Sequence, residues 1–173
     1  MVAGEDSNKI VASLRRELTT ERATFILAQA ELQLRARKKF SRADSMLFTK
    51  LGLEQATSEP IAIFKQSCLP KTQAVLDICC GIGGDAIGFS NFPHLTVVDQ
   101  DETTLAYAKH NLQIYGAGEP EFTALAESFA DTSIPSGAFV HIDPDRRTSG
   151  RTVRAENFSP DLDTILRLSL IHI

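Results

Sequence analysis

From Ser7 to Phe40 the chain carries neither proline nor glycine, and its apolar residues recur at helical spacing: Ile10, Val11, Leu14 and Leu18, then Phe25, Ile26, Ala28, Leu32 and Leu34. This pattern predicts two helices with a break near Thr19 and Thr20. Thr20 is a weak start signal, because the acid that completes a capping box is missing three residues on. The second helix ends in RARKKF, whose cations suit the carbonyl end of a helix dipole. A mixed segment, SRADSMLFTKLGLEQATSEP, follows with Gly52 inside it. SEPIAIFKQSCLP then predicts a short helix capped by Ser58, with Pro60 in its first turn and Pro70 closing it.

From there the period alternates between two and 3.6. AVLDICC (74–80), LTVVDQD (95–101), EFTALA (121–126) and AFVHID (138–143) read as strands, whereas GDAIGFSNF (84–92) and ETTLAYAKHNLQIYG (102–116) read as helices. Strands alternating with helices predict an α/β fold, a Rossmann-like parallel sheet with crossover helices, preceded by a helical N-terminal segment. No internal repeat or low-complexity tract interrupts it.

Composition changes little: 43% of the 173 residues are hydrophobic and 23% charged, which is ordinary for a globular domain. No window approaches the roughly 20 apolar residues of a membrane span, so a soluble cytoplasmic protein is expected. Cys68, Cys79 and Cys80 lack metal-ligand spacing and cannot form a disulfide framework, so reduced, buried, structural thiols are expected. Charge is partitioned. Residues 1–50 carry ten Lys and Arg against six acids, residues 51–140 three against eleven, and the remainder balances. A basic front beside an acidic middle fits a protein that places a polyanion near a cationic ligand, and it equally fits an ordinary solvated helix face.

The chemistry concentrates at the predicted strand ends. In an open parallel sheet, ligands bind outside the carboxyl ends of the strands. Gly81 and Gly83 let the backbone approach a ligand closely, and Asp99 ends the second strand 18 residues after Gly81, where a ribose-binding acid belongs. Two cofactors compete for this arrangement. Gly81-x-Gly83-x-x-Ala86 satisfies a dinucleotide fingerprint, which makes an NAD-dependent oxidoreductase a legitimate reading. Asp77 argues the other way, since a carboxylate inside the first strand repels a pyrophosphate and favours the sulfonium and ammonium of S-adenosylmethionine.

VLDICCGIGGDAIGF resembles motif I of the class I S-adenosylmethionine-dependent methyltransferases, and LTVVDQDETTLAYAKHNLQIYG resembles their motif II. FVHIDPDRR resembles the fourth-strand motif of the amino-methylating branch, and GLEQAT (52–57) with Asp143 to Arg147 resembles bacterial methyltransferases with a THUMP-like C-terminal domain, relatives of trimethylguanosine synthases. The resemblance covers roughly residues 20–165. It implies that Asp77 and Gly81 to Gly83 line the methionine part of the cofactor, that Asp99 accepts from both ribose hydroxyls, that Glu127 takes the adenine amine, and that Gln55 and Thr57 close over the methionine carboxylate. It also implies that Asp143 and Pro144 orient an exocyclic amine of an RNA base, guanine N2 first.

This sequence departs from the fourth-strand motif, with Asp145 for the second proline and Arg146 for the stacking aromatic. Arg146 and Arg147 could instead stack on a base or hold nucleic-acid phosphates, together with Arg151 and Arg154. Phe158 is the nearest downstream aromatic. RARKKF with Arg42 and Lys50 forms a second candidate phosphate surface, against its alternative as the polar face of a packed helix. His141 reads as a satisfied core histidine; His94 and His110 have no ligand-spaced partners, so no metal site is expected. The closing LSLIHI resembles one reading frame of a sequencing-library adapter. That implies a non-native tail over residues 168–173, a partial methyltransferase domain over 51–167 with its later strands missing, and a helical segment over 1–50. Besides the methyltransferase and oxidoreductase readings, a non-catalytic RNA-binding module carried by the basic leader stays open.

Overall fold

The structure, a computed structural model, describes residues 7–69, 74–116, 121–126, 132, 134, 136–143, 145–146 and 158–159. The leader holds helices α1 (Ser7–Glu17) and α2 (Thr20–Ala36), a 3-10 turn (Ala43–Ser45), and helices α3 (Lys50–Gln55) and α4 (Glu59–Ser67). Then come strand β1 (Ala74–Ile78), the short helix α5 (Ala86–Phe89), β2 (His94–Asp99), α6 (Glu102–Tyr115), β3 (Glu121–Ala126) and β4 (Phe139–Ile142). A small antiparallel pair, β5 (Asp145–Arg146) and β6 (Phe158–Ser159), follows. The main sheet is fully parallel in the order β3-β2-β1-β4. Chain order therefore reverses beside β1, and the crevice at its carboxyl end is where such sheets bind ligands.

Alternation along the strands sorts the core into two faces. Val75, Leu95 and Val97 pack with Ile82, Ile87, Phe89, Leu105 and Leu112, and the same cluster takes in Phe40, Met46, Phe48 and Leu53 of the leader. Leu76, Ile78 and Val98 form a smaller cluster on the opposite face. Burying each of these larger side chains contributes about 1.5–3 kcal/mol.

The leader is also stitched to the sheet unit by amides that imitate a neighbouring backbone. Gln29 Nε2 donates to the Phe48 carbonyl (2.8 Å) and its Oε1 accepts from the Phe48 N–H (2.9 Å). Asn111, fully buried on α6, accepts from the Leu47 N–H (2.8 Å) and donates to the carbonyls of Leu47 and Ile82 (both 3.0 Å). Glu59, at the start of α4, accepts from Ser41 and from the Tyr115 hydroxyl, which itself accepts from the Arg42 N–H. Burial would raise the Glu59 pKa, but these hydrogen bonds outweigh it and hold it below the usual value.

Several elements differ from the sequence-based expectation. The break between the first two helices falls where expected, with Thr19 as the residue whose side chain accepts from the Arg22 N–H. The mixed segment contains a helix, α3, started by Thr49 accepting from the Gly52 N–H. Ser58 sits at the N-cap of α4, but its hydroxyl makes no capping hydrogen bond; its carbonyl accepts the first bonds of the helix, from the N–H groups of Ile61 and Ala62. The helix expected over 84–92 shrinks to four residues, since Gly81 to Asp85 form turns. Among the thiols only Cys80 is buried; Cys68 is exposed and Cys79 half-buried, which corrects the expectation of three buried cysteines.

Replacing Asn111 with Ala leaves a buried N–H and two carbonyls without partners. At about 1–3 kcal/mol for each orphaned group, the variant is expected to lose about 3 kcal/mol or more in urea unfolding. Unchanged stability would show that water replaces the amide.

Candidate functional site

The carboxyl end of β1 is built for a sharp exit. Cys79 (φ +60°), Gly81 (+55°) and Gly83 (+86°) all adopt left-handed backbone, which brings the chain out of the strand and over toward α5. The Gly81 N–H donates to Asp99 Oδ2 (3.0 Å), and the Asp101 N–H donates to Asp99 Oδ1 (3.0 Å). One carboxylate thus ties the β1 exit to the end of β2. Burial raises the Asp99 pKa, opposed by those two amides.

The glycines of this turn face different surroundings. Among the described residues, a side chain at Gly81 would meet nothing within 4 Å, so the position above Gly81 is open. A Cβ added at Gly83 would come within 3.5 Å of Ala108 on α6. Gly84 lies under Ala56 and Thr57, where an added Cβ would come within 3.0 Å of the Thr57 nitrogen. The strap between α3 and α4 therefore covers the start of α5.

Beneath the turn lies a buried charge cluster. Asp77 is 1% exposed and its Oδ1 is 2.8 Å from His141 Nδ1, the two residues being register partners across β1 and β4. Asp77 Oδ2 has no donor among the described residues. Asp85, also buried, accepts from the Thr57 hydroxyl (2.9 Å), forms an ion pair with Lys65 (2.7 Å) and lies 3.9 Å from His141 Nε2. Burial raises the Asp77 pKa against the pull of His141. Burial would lower the His141 pKa, but the Asp77 hydrogen bond and the charges of Asp77 and Asp85 outweigh it and raise it. The Cys80 thiol is pushed well above its ordinary value, first by burial and then by Asp77 and Asp99, which leaves it neutral and unreactive.

Gly81, Gly83 and Asp99 thus come together at the end of β1. Asp77 lies below them, engaged with His141. Thr57 bonds Asp85, and Gln55 is exposed at the end of α3. Asp143 is exposed just past β4, its N–H donating to the Ile78 carbonyl (3.4 Å), which places it beside the β1 exit. Arg146 belongs to β5, in register with Phe158 of β6. Glu127, Pro144, Arg147, Arg151, Arg154 and the tail over 168–173 lie outside the described residues, as does Pro70.

Sequence reasoning passed over Asp85 and Asn111. Asp85 follows the glycine pair directly, and Asn111 interrupts the apolar stripe of Leu105, Ala108 and Leu112. Both signals were present as polar residues in apolar company. The Asp77–His141 pairing, in contrast, depends on strand order and register.

The RARKKF run is largely engaged within the chain. Lys39 Nζ donates to the carbonyls of Leu53 (2.8 Å), Glu54 (3.1 Å) and Ala56 (2.8 Å), closing the C-terminal end of α3. Arg37 grips Asp44 with two hydrogen bonds (2.7 and 2.8 Å), and Arg35 reaches Glu54 at 3.5 Å. Arg42 donates to the Ile114 carbonyl and lies over the Tyr115 ring. Arg35, Arg37, Lys39 and Arg42 thus have partners within the chain, which favours the polar-face alternative for these four, although the Arg35 and Arg37 pairs lie at the solvent-exposed surface. Among the described residues no cluster of His, Cys, Asp and Glu could hold a metal ion, and no helix is long and apolar enough to cross a membrane.

Residues 72–137 match a family described as RNA cap guanine-N2 methyltransferase. The fold is similar to the crystal structure of a "putative methyltransferase" from Porphyromonas gingivalis W83, with a TM-score of 0.69 at 18% sequence identity. That similarity covers 99% of this chain and 42% of the other, so this chain spans less than half of its structural relative. No curated protein matches the chain in sequence.

Asp99→Ala removes the acceptor shared by the Gly81 and Asp101 amides. A hydrogen bond to a charged acceptor contributes about 1.5–3 kcal/mol, so amide exchange at Gly81 is expected to accelerate roughly tenfold to a hundredfold in NMR measurements. An unchanged rate would mean the turn holds itself.

Proposed function

We propose that this chain forms the nucleoside-binding portion of an S-adenosylmethionine-dependent methyltransferase whose acceptor is an exocyclic amine of an RNA base, guanine N2 first. One observation carries the choice of cofactor. A dinucleotide's pyrophosphate needs an open helix N-terminus after the glycine turn. Here α5 has four residues, Ala56 and Thr57 cover Gly84, and the buried acid Asp85 precedes the helix. Among the described residues the open position lies instead over Gly81, whose N–H donates to the Asp99 carboxylate. That arrangement fits an adenosyl group: Asp99 can accept from both hydroxyls of a vicinal diol, and Gly81 and Gly83 allow the backbone to come close.

Bound S-adenosylmethionine supplies a methyl group on a sulfonium, an electrophile that an amine attacks without acid catalysis. The protein's task is then alignment, which supplies most of the rate. Asp143, exposed next to the β1 exit, accepts a hydrogen bond from the exocyclic NH₂, with Pro144 as its partner in orienting the amine. The amine lone pair would thereby be aimed at the methyl carbon; the transfer would form the N–C bond and break the S–CH3 bond, leaving a neutral thioether, and the nitrogen's surplus proton would pass to solvent. Glu127 holds the adenine amine, and Gln55 and Thr57 bound the methionine end through the strap. Arg146 and Arg147 follow Asp143 closely in the chain and provide cations for the RNA backbone or a guanidinium plane for the base. The description of the matching family supports the guanine-N2 choice. The RNA-binding module reading is disfavoured by the internal partners of the basic leader.

Calorimetric titration is expected to give saturable binding of S-adenosylhomocysteine and none of NADH. Asp99→Ala should abolish that binding, whereas Asp143→Ala should preserve it and eliminate methyl incorporation into RNA. Preference for NADH would overturn the proposal.

A further inference from the structure

The buried cluster under the glycine turn contains two carboxylates and one fixed ammonium. Lys65 on α4 pairs directly with Asp85 (2.7 Å), so among the described residues no lysine or arginine forms an ion pair with Asp77, in the middle of the sheet. His141 faces both acids, Nδ1 toward Asp77 (2.8 Å) and Nε2 toward Asp85 (3.9 Å), with the Phe89 ring against it at 5.4 Å. A neutral imidazole would have to present a lone pair to one carboxylate, whereas a doubly protonated ring donates toward both. A buried carboxylate left without a cation is strongly destabilising.

We infer that His141 is an imidazolium clamp: it joins Asp77 of β1 to Asp85 ahead of α5, and so acts as a positioning residue that fixes the β1 exit relative to the β4 end. The effect on ligand binding rests on the nucleoside reading above; the clamp itself does not. Asp77 lies four residues before Gly81, and Asp143 two residues after His141, so the clamp spans the strands that carry the cofactor turn and the acceptor side. Lys65, Asp77 and Asp85 are the charged groups that face it among the described residues. Because the His141 pKa is raised in the folded chain, the stabilisation is complete below the ordinary histidine value of about 6.5. It is lost as pH rises through the folded value.

The test is an imidazole NMR titration of the whole chain, with nitrogen shifts assigned to His141. Both ring nitrogens are expected to be protonated at about pH 6.5, with a midpoint above that value that falls in Asp77→Asn. A ring neutral at that pH, or a midpoint indifferent to Asp77→Asn, would overturn the clamp. Parallel calorimetry with S-adenosylhomocysteine should show affinity falling about tenfold per pH unit beyond the midpoint, for one proton linked to binding. His141→Gln should bind more weakly with no such slope, and a wild-type affinity flat across the midpoint would overturn the positioning role. If no nucleoside binds at any pH while the titration behaves as expected, the nucleoside reading fails and the clamp stands.

Discussion

A single carboxylate ties together the carboxyl ends of two neighbouring strands. Asp99 accepts from the Gly81 and Asp101 amides, both at 3.0 Å, and so couples the exit of β1 to the exit of β2. The left-handed residues around Gly81 make the turn sterically possible, and the Asp99 bonds give it a fixed place. Everything proposed for the site follows from that geometry. The acid is half-buried rather than sunk, and among the described residues the position above Gly81 is open. In the proposed reading its remaining acceptor capacity takes the hydroxyls of a ribose.

The leader contributes more than a cover. Lys39 gathers the carbonyls at the end of α3, Asn111 fastens Leu47 and the Ile82 carbonyl, and Thr57 bonds Asp85. The strap that lies on Gly84 is therefore held from both sides, by the leader and by the charge cluster beneath the turn. Its placement covers Gly84, while among the described residues a side chain at Gly81 would meet nothing within 4 Å. In the proposed reading that contrast favours an adenosyl group over a dinucleotide, two ligands that the glycine spacing alone does not separate.

Much of this was legible in the sequence because it depends on local patterns. The alternation of period from Ala74 onward gave the order of strands and helices, and Gly81, Gly83 and Asp99 were recognisable by spacing. Helix α3 was not, since its six residues are too few to establish a period and Gly52 argues against helix; Thr49 and Lys39 stabilise its two ends. The fate of the RARKKF cations was also hidden, because their partners lie seven to nineteen residues away along the chain or, for Arg42, more than seventy. His141 was read as a satisfied core histidine, and it is satisfied. Its partner became visible only once β4 lay beside β1 in register.

Amide chemical-shift mapping on the whole chain, with S-adenosylhomocysteine and NADH added in separate titrations, tests the central claim most directly. Saturable shifts confined to the surroundings of Gly81, Gly83 and Asp99 with the homocysteine nucleoside, and none with NADH, are the predicted result. Shifts at those amides with NADH alone, or nucleoside shifts that fall elsewhere on the sheet, would contradict it.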